Sequence, residues 1–372
     1  MNYNPVNSMI VAIDIREAEN PAAGGKGVFN LNLVLELVKA RPEITWWLLT
    51  DREHNKFKDV ANLKVINLGV AGIRWHFKVR KYLMQNNADI YLSMTSYLTP
   101  YLLTGISNLK IYVFVHDLIS FLHTDGHLVK STIIENFTLP KLIDRVDGFF
   151  AVSGSTKNDL LRLFPHLSSE QVQVCGCGFE HLEVKNTLAD NLNSQSPFIL
   201  SVSTILRRKN YHTLIQAFGL VASKIPHNLV IVGGEADKKY ADYLKQLVIE
   251  LGLQERVQFL GFVSQQDLSK LYIEADFSVY PSIYEGFGIP LLEAFAHECP
   301  VISSNRTSLP EVAEDAAVYF NATDSEDLAA QILLLSETPA LKKNLIAAGK
   351  LQLAKFSWEK VAETVLNKIK KV

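Results

Sequence analysis

Short runs of β-branched and aromatic residues recur along this chain, each followed by a longer stretch with helical periodicity. That alternation limits the fold more than any other feature. Strands are predicted at MIVAIDI (9–15), TWWLLT (45–50), LKVIN (63–67), DIYLS (89–93), IYVFV (111–115) and GFFAV (148–152). A second series follows at FILSVS (198–203), NLVIVG (228–233), VQFLG (257–261), FSVYP (277–281) and PVISS (300–304). The runs are apolar on both faces rather than alternating, as strands covered by helices on both sides should be. Amphipathic stretches such as VFNLNLVLELVKA (28–40), YHTLIQAFGLVASK (211–224) and YADYLKQLVIELG (240–252) lie between them. Strand, helix, strand repeated in this way implies an α/β fold with parallel sheets and crossover helices.

With 372 residues the chain exceeds what one core usually supports, so two domains are expected. The break falls in LEVKNTLADNLNSQSP (182–197), which is polar and shows neither period. The expected division is an N-terminal doubly wound domain over 1–182, a linker over 183–197 and a second such domain over 198–355. A terminal helix follows over 356–372, with Trp358, Val361, Val365 and Ile369 on one stripe. Open α/β sheets bind ligands beyond the carboxyl ends of their strands, so two of them facing each other should enclose a cleft that holds the active site.

Charge excludes some partners. Lys plus Arg is 37 and Asp plus Glu is 39, a net of -2, whereas a nucleic-acid binder usually carries a basic excess. Three cysteines (Cys175, Cys177, Cys299) cannot form a disulfide framework and fit a reducing compartment. The first twenty residues lack a basic leader, and no run of about 18 apolar residues is present. A cytoplasmic protein is expected, with peripheral attachment at the inner face of a membrane left open.

Two segments carry chemistry. EGFGIPLLEAFAHECPVISS (285–304) follows a strand and opens a helix, with Pro290 suited to the first turn. Its Gly286 and Gly288 let the backbone approach a ligand, and the helix N-terminus offers unpaired N–H groups to an anion. Glu285 and Glu293 are both brought to the mouth of that helix, where an ionised pair would repel. Solvated glutamates on an ordinary helix explain the same residues. STILRRKNYHTLIQAF (203–218) also joins strand to helix and holds Arg207, Arg208 and Lys209, fixed charge that suits a diphosphate. A solvated basic helix start is the competing explanation, although cations sit better at helix C-termini.

Glu285 and Glu293 with seven residues between them, embedded in PSIYEGFGIPLLEAF, resemble the signature of family 4 of the retaining glycosyltransferases, which have the GT-B fold. Arg208, Lys209 and Asn210 resemble the segment that accompanies it after the first strand of the C-terminal domain. The resemblance continues through VHDL (115–118), AVSGSTKNDL (151–160), Gly178, ADFSVYPSIYEGFG (275–288), TSLPEVAEDAA (307–317) and FSWEKVAE (356–363).

That resemblance implies a role for each matching residue. Glu285 would contact the donor sugar near the charge that develops at its anomeric carbon, and Glu293 would bond the nucleotide ribose. Arg208 and Lys209 would hold the diphosphate and stabilise it as a leaving group. Phe287, Gly288 and Ile289 would offer backbone N–H groups. His116 would face the donor sugar, and Gly25 and Gly27 would form a glycine loop whose backbone approaches the phosphate. Ser203 and Gly233 would line the donor site, with the base near Gly261, Phe262 and Val263. Ser203 replaces a common glycine and Thr204 an expected cation, a loss for which Arg207 stands ready to compensate. The last helix is expected to pack back on the N-terminal domain.

The implied reaction moves a hexose from a nucleotide diphosphate sugar with retention, the phosphate itself taking the acceptor proton. No cofactor is expected to be tightly bound and no metal site is visible, Lys and Arg replacing a cation. GDP-mannose is the first choice of donor and UDP-glucose the second. The acceptor is a saccharide or a lipid-linked molecule in bacterial surface polysaccharide or glycolipid synthesis. A nucleotide-sugar epimerase, a phosphorylase and a non-catalytic binding protein remain as alternatives. A nicotinamide dehydrogenase fits poorly, because GGKG (24–27) lacks the compact Gly-x-Gly-x-x-Gly spacing. GIRWHFKVRKYLMQ (72–85) mixes Arg74, Lys78, Arg80 and Lys81 with Trp75, Phe77 and Tyr82. A crossover helix with a solvated basic face is the first reading of it, and an interfacial helix touching anionic or lipid-linked groups is the alternative.

Overall fold

The computed structural model describes residues 9–19, 24–54, 56–57, 62–122, 129–179 and 196–370. Most of the expected linker lies outside them. The chain divides into two compact units. Among the described residues, those up to 179 and those of 357–370 form the first unit, and those of 196–356 form the second.

In the first unit, seven strands form one parallel sheet: β1 (Ile10–Asp14), β2 (Thr45–Thr50), β3 (Leu63–Asn67), β4 (Ile90–Ser93), β5 (Lys110–Val115), β6 (Gly148–Ala151) and β7 (Val172–Val174). Their order is β3-β2-β1-β4-β5-β6-β7. The second unit holds β8 (Phe198–Val202), β9 (Asn228–Val232), β10 (Val257–Gly261), β11 (Phe277–Tyr280), β12 (Val301–Ser304) and β13 (Ala317–Phe320). These are ordered β10-β9-β8-β11-β12-β13, again all parallel. Both are doubly wound, Rossmann-like sheets. Each has a switch point, β1/β4 in the first and β8/β11 in the second, where successive crossovers diverge and leave a crevice at the carboxyl ends.

The doubly apolar runs become the central strands. In register, Val11 meets Trp46 and Ile90, and Ile199 meets Leu229 and Phe277. β4, β6, β11 and β12 are buried at every position, whereas the edge strands β3 and β10 expose residues to solvent. Edge position, where one side of the strand has no neighbour, accounts for that difference.

The helix Trp358–Lys370 lies in the first unit and buries Trp358, Val361, Val365 and Ile369, the stripe read from the sequence. It packs on the helix Gly24–Ala40, with the Trp358 ring edge-on to Phe29 at 5.4 Å. Gly178 permits this approach. A Cβ there would lie 2.4 Å from the Trp358 backbone nitrogen, too close for any side chain.

Candidate active site

The second unit assembles its polar residues at the β8/β11 switch point. Beyond β8 the chain makes one 3-10 turn, Arg207–Lys209, and then enters the helix Tyr211–Val221 through Asn210 at φ 62°. Asparagine tolerates that left-handed conformation, and here its side chain also ties three loops together. The Asn210 amide donates to the carbonyls of Pro281 (3.0 Å) and Ala322 (2.7 Å), and its Oδ1 accepts from Thr213 (2.8 Å). The loop after β11 is clamped as firmly. Ile283 N–H donates to Arg208 O at 2.8 Å and Glu285 N–H donates to Thr307 Oγ1 at 3.0 Å. The Ser308 hydroxyl lies 2.7 Å from Phe287 O and 3.1 Å from Glu285 O.

These clamps fix a cluster. The Glu285 carboxylate accepts from the Tyr280 hydroxyl at 2.7 Å and from the Lys209 ammonium, and its other oxygen faces Arg208 Nη1 at 3.4 Å. Lys209 also reaches the Tyr280 oxygen at 3.2 Å. Lys209 and Glu285 are both buried, so neither is a solvated surface charge. Burial pushes the Glu285 carboxyl up, but the adjacent Lys209 and Arg208 outweigh it and hold the group below its usual range. One carboxylate between two cations leaves the cluster with a net charge of one positive unit.

Glu293 lies on the helix Ile289–Ala296, which starts from Gly288 at φ 115° and carries Pro290 in its first turn. It accepts from the Tyr272 hydroxyl at 3.0 Å. Burial raises its pKa, against the opposing effect of that hydrogen bond. The two glutamates thus have separate partners. The N–H groups of Phe287, Gly288 and Ile289 stand at the opening of this helix, where no intrahelical acceptor reaches them.

Gly233 and Ser203 meet at the ends of β9 and β8. Gly233 has φ 147°, and a Cβ on it would lie 2.0 Å from the Ser203 carbonyl oxygen. Phe262 and Val263 follow β10, and Phe262 is 85% exposed. Arg207 does not compensate at the cluster. It is directed to Asp237 (3.8 Å) and lies 5.3 Å from the centre of the Tyr240 ring.

The first unit places His116 immediately after β5. Its Nε2 donates to Met94 O at 2.8 Å, and since a carbonyl only accepts, Nδ1 is left as an acceptor. Burial, helped by Lys26, pushes its pKa down to about 4, so the ring is neutral near pH 7. Gly25 and Gly27 do not form the expected loop. They belong to the first turn of the helix Gly24–Ala40, where Lys26 pairs with Asp117 at 3.3 Å and Phe29 meets His116 edge-on at 4.9 Å. The helical periodicity that began at Val28 in the sequence extends one turn further back, because neighbouring groups hold this glycine-rich turn.

A cavity of about 340 Å3 opens near the β1/β4 switch point, lined by Arg16, Glu17, Lys26, His76, Thr95 and Ser96. Arg16 is fixed within it by two bonds to the Asp14 carboxylate (3.1 and 2.9 Å) and by stacking 3.5 Å over Trp75. His76 Nδ1 lies 2.6 Å from the Thr99 hydroxyl.

The sequence reading missed Tyr280, Tyr272, Thr307 and Ser308 as parts of the site. The two tyrosines look like core aromatics at the ends of apolar segments, and only the fold shows their hydroxyls aimed at carboxylates. Thr307 and Ser308 stand in the TSLPEV segment, whose spacing from Glu285 carries no local signal.

Fold defines the class first. A sucrose-phosphate synthase from Thermosynechococcus elongatus matches with a TM-score of 0.78 at 21% identity, covering 98% of each chain. The Anabaena protein HepE, solved with UDP and glucose, matches with a TM-score of 0.75 at 16% identity, covering 98% of this chain and all of that one. These likenesses show the GT-B fold.

Sequence then narrows the class. The family described as glycosyl transferases group 1 matches residues 185–352. The O-antigen chain mannosyltransferase B of Escherichia coli is 30% identical over 264 residues, which cover 68% of either protein. The chain belongs to the group 1 glycosyl transferases, and its activity is sugar transfer.

Proposed function

We propose that the chain transfers a hexose, with retention and without a metal ion, from a nucleotide diphosphate sugar to a saccharide or lipid-linked acceptor in bacterial surface polysaccharide synthesis. GDP-mannose is the preferred donor and UDP-glucose the second candidate. The mannosyltransferase relative supports the sugar. The UDP and glucose bound to HepE support a nucleotide diphosphate sugar as the class of donor.

The observation that carries this reading is the buried, ionised Glu285 held between Lys209 and Arg208 at the β8/β11 switch point. Negative charge grows on the departing diphosphate as the glycosidic bond breaks, while positive charge grows on the sugar. Arg208 and Lys209 are already oriented for the first, and Glu285 for the second, so little reorganisation accompanies the transition state. The excess positive charge of the cluster favours an anionic ligand. Glu293 bonds the ribose hydroxyls beside Tyr272, and the exposed Phe262 lies against the base. His116, neutral and with Nδ1 free to accept, receives a hydrogen bond from a hydroxyl of the donor sugar. The leaving phosphate takes the acceptor proton, so retention needs no second carboxylate as nucleophile. The cavity beside Arg16 receives the acceptor. Its cations already have carboxylate partners in Asp14 and Asp117, which suits a neutral polyhydroxylated sugar.

A panel of nucleotide sugars, assayed after exhaustive chelation with the product anomer assigned by NMR, tests the reading. Transfer from GDP-mannose giving an α-linked product is expected. Loss of all activity on chelation, or inversion at the anomeric carbon, would overturn it.

A further inference from the structure

Five large apolar side chains in the first unit, Ile73, Phe77, Met84, Ile133 and Phe137, are each more than half exposed. Single exposed hydrophobes are ordinary, but a group of them beside fixed charge is not. Ile73, Phe77 and Met84 lie on the crossover helix Ile73–Asn86, within an arc of about 40° at 100° per residue. Trp75, His76, Val79 and Leu83 form its buried face. Trp75 is therefore a core residue, and of the aromatics in this helix only Phe77 is largely open to solvent.

A short helix, Leu98–Leu103, joins this one to a third, Val129–Leu142. On one side His76 bonds Thr99, and Arg80 donates to the Leu102 carbonyl. On the other, the Tyr101 ring meets Phe137 edge-on at 6.0 Å, and the Lys141 ammonium sits 3.2 Å over Phe137. The two helices that carry the exposed apolar side chains thus flank one short helix and are tied to it on either side. The two outer helices carry Arg74, Lys78, Arg80, Lys81 and Lys141 against the carboxylate of Glu135, in a chain whose net charge is -2.

We infer that this surface docks on an anionic lipid bilayer, with Ile73, Phe77, Met84, Ile133 and Phe137 entering the headgroup–acyl boundary and the cations meeting lipid phosphates. Apolar side chains ringed by lysine and arginine are what such an interface selects. A second copy of the chain fits poorly, because a two-fold contact would set this cationic face against itself. The inference does not depend on which sugar is transferred, and its readout is separate from activity.

The full chain is floated with vesicles of phosphatidylcholine containing phosphatidylglycerol, and with phosphatidylcholine alone. Binding to the anionic vesicles is expected, weakened by salt. Phe77→Glu and Phe137→Glu should each reduce it about tenfold or more, the loss of one inserted aromatic together with an added like charge. Arg74→Glu with Lys81→Glu should reduce it similarly, and all three variants should retain the parent's melting temperature. Flotation unchanged in these variants, or absent from anionic vesicles altogether, would overturn the inference. So would a dimer in solution that the same variants dissociate.

Discussion

Glu285→Gln tests whether the cluster at the β8/β11 switch point is held by charge. The substitution keeps the shape of the side chain and its ability to accept from Tyr280, but removes the negative charge beside Lys209 and Arg208. The side chains of Glu285 and Lys209 are 10% and 9% exposed and that of Arg208 is 19% exposed, so water screens the two cations poorly. Breaking a buried ion pair costs about 3–5 kcal/mol, and the greater exposure of Arg208 lowers the expectation to about 2–4 kcal/mol. For a unit of this size that is a fall in melting temperature of roughly 4–16 °C. Adding Lys209→Met removes the more buried of the two stranded cations and should recover part of the loss, since an uncompensated buried charge is the main cost of breaking the pair. Transfer activity should stay abolished in both variants. Calorimetry, following the transition that a nucleotide diphosphate shifts, measures the stability. A single variant as stable as the parent, or a double variant no more stable than the single, would refute the electrostatic account.

Two further outcomes follow from the geometry. Gly233→Ala should lower stability by about 3 kcal/mol or more and weaken nucleotide affinity, because neither φ 147° nor the 2.0 Å approach to Ser203 O tolerates a Cβ; an unchanged thermal transition would contradict the steric argument. His76 and His116 both have pKa values pushed down to about 4, first by burial and then by a neighbouring cation. A pKa lower in the folded than in the unfolded protein means the unfolded chain binds more protons. Stability of the first unit should therefore be full above about pH 6.5 and fall as pH drops toward 4. Denaturant titrations at several pH values check this, and His76→Gln should flatten the slope in that window. Glu285 acts with the same sign but only below the ordinary carboxylate range, so the cluster of the second unit should give way in stronger acid.

The architecture was legible because its signal is local. Each strand needs only four to six apolar residues in a row, and all eleven expected strands are present. The two that escaped notice, Val172–Val174 and Ala317–Phe320, are sheet-edge strands of three and four residues. A short edge strand draws much of its definition from the neighbour it pairs with, which periodicity does not reveal. Glu285, Arg208 and Lys209 were legible as ionisable groups beside strand ends, and the fold brings them together. Their supports were not, because Tyr280, Thr307 and Ser308 act across separations that only sheet order closes. Gly25 and Gly27 show the opposite failure. Glycine-rich sequence favours a loop locally, and tertiary packing overrode that preference.

The contact between Gly178 and Trp358 has a consequence for how the chain is made. Synthesis runs from the amino end, so the second unit leaves the ribosome before the helix Trp358–Lys370 that completes the first. Until then, the face of Gly24–Ala40 that receives this helix stays uncovered while a whole neighbouring unit folds. The first unit is thus finished only after the second has been made, and truncation ahead of Trp358 should disable the part of the protein that was made first.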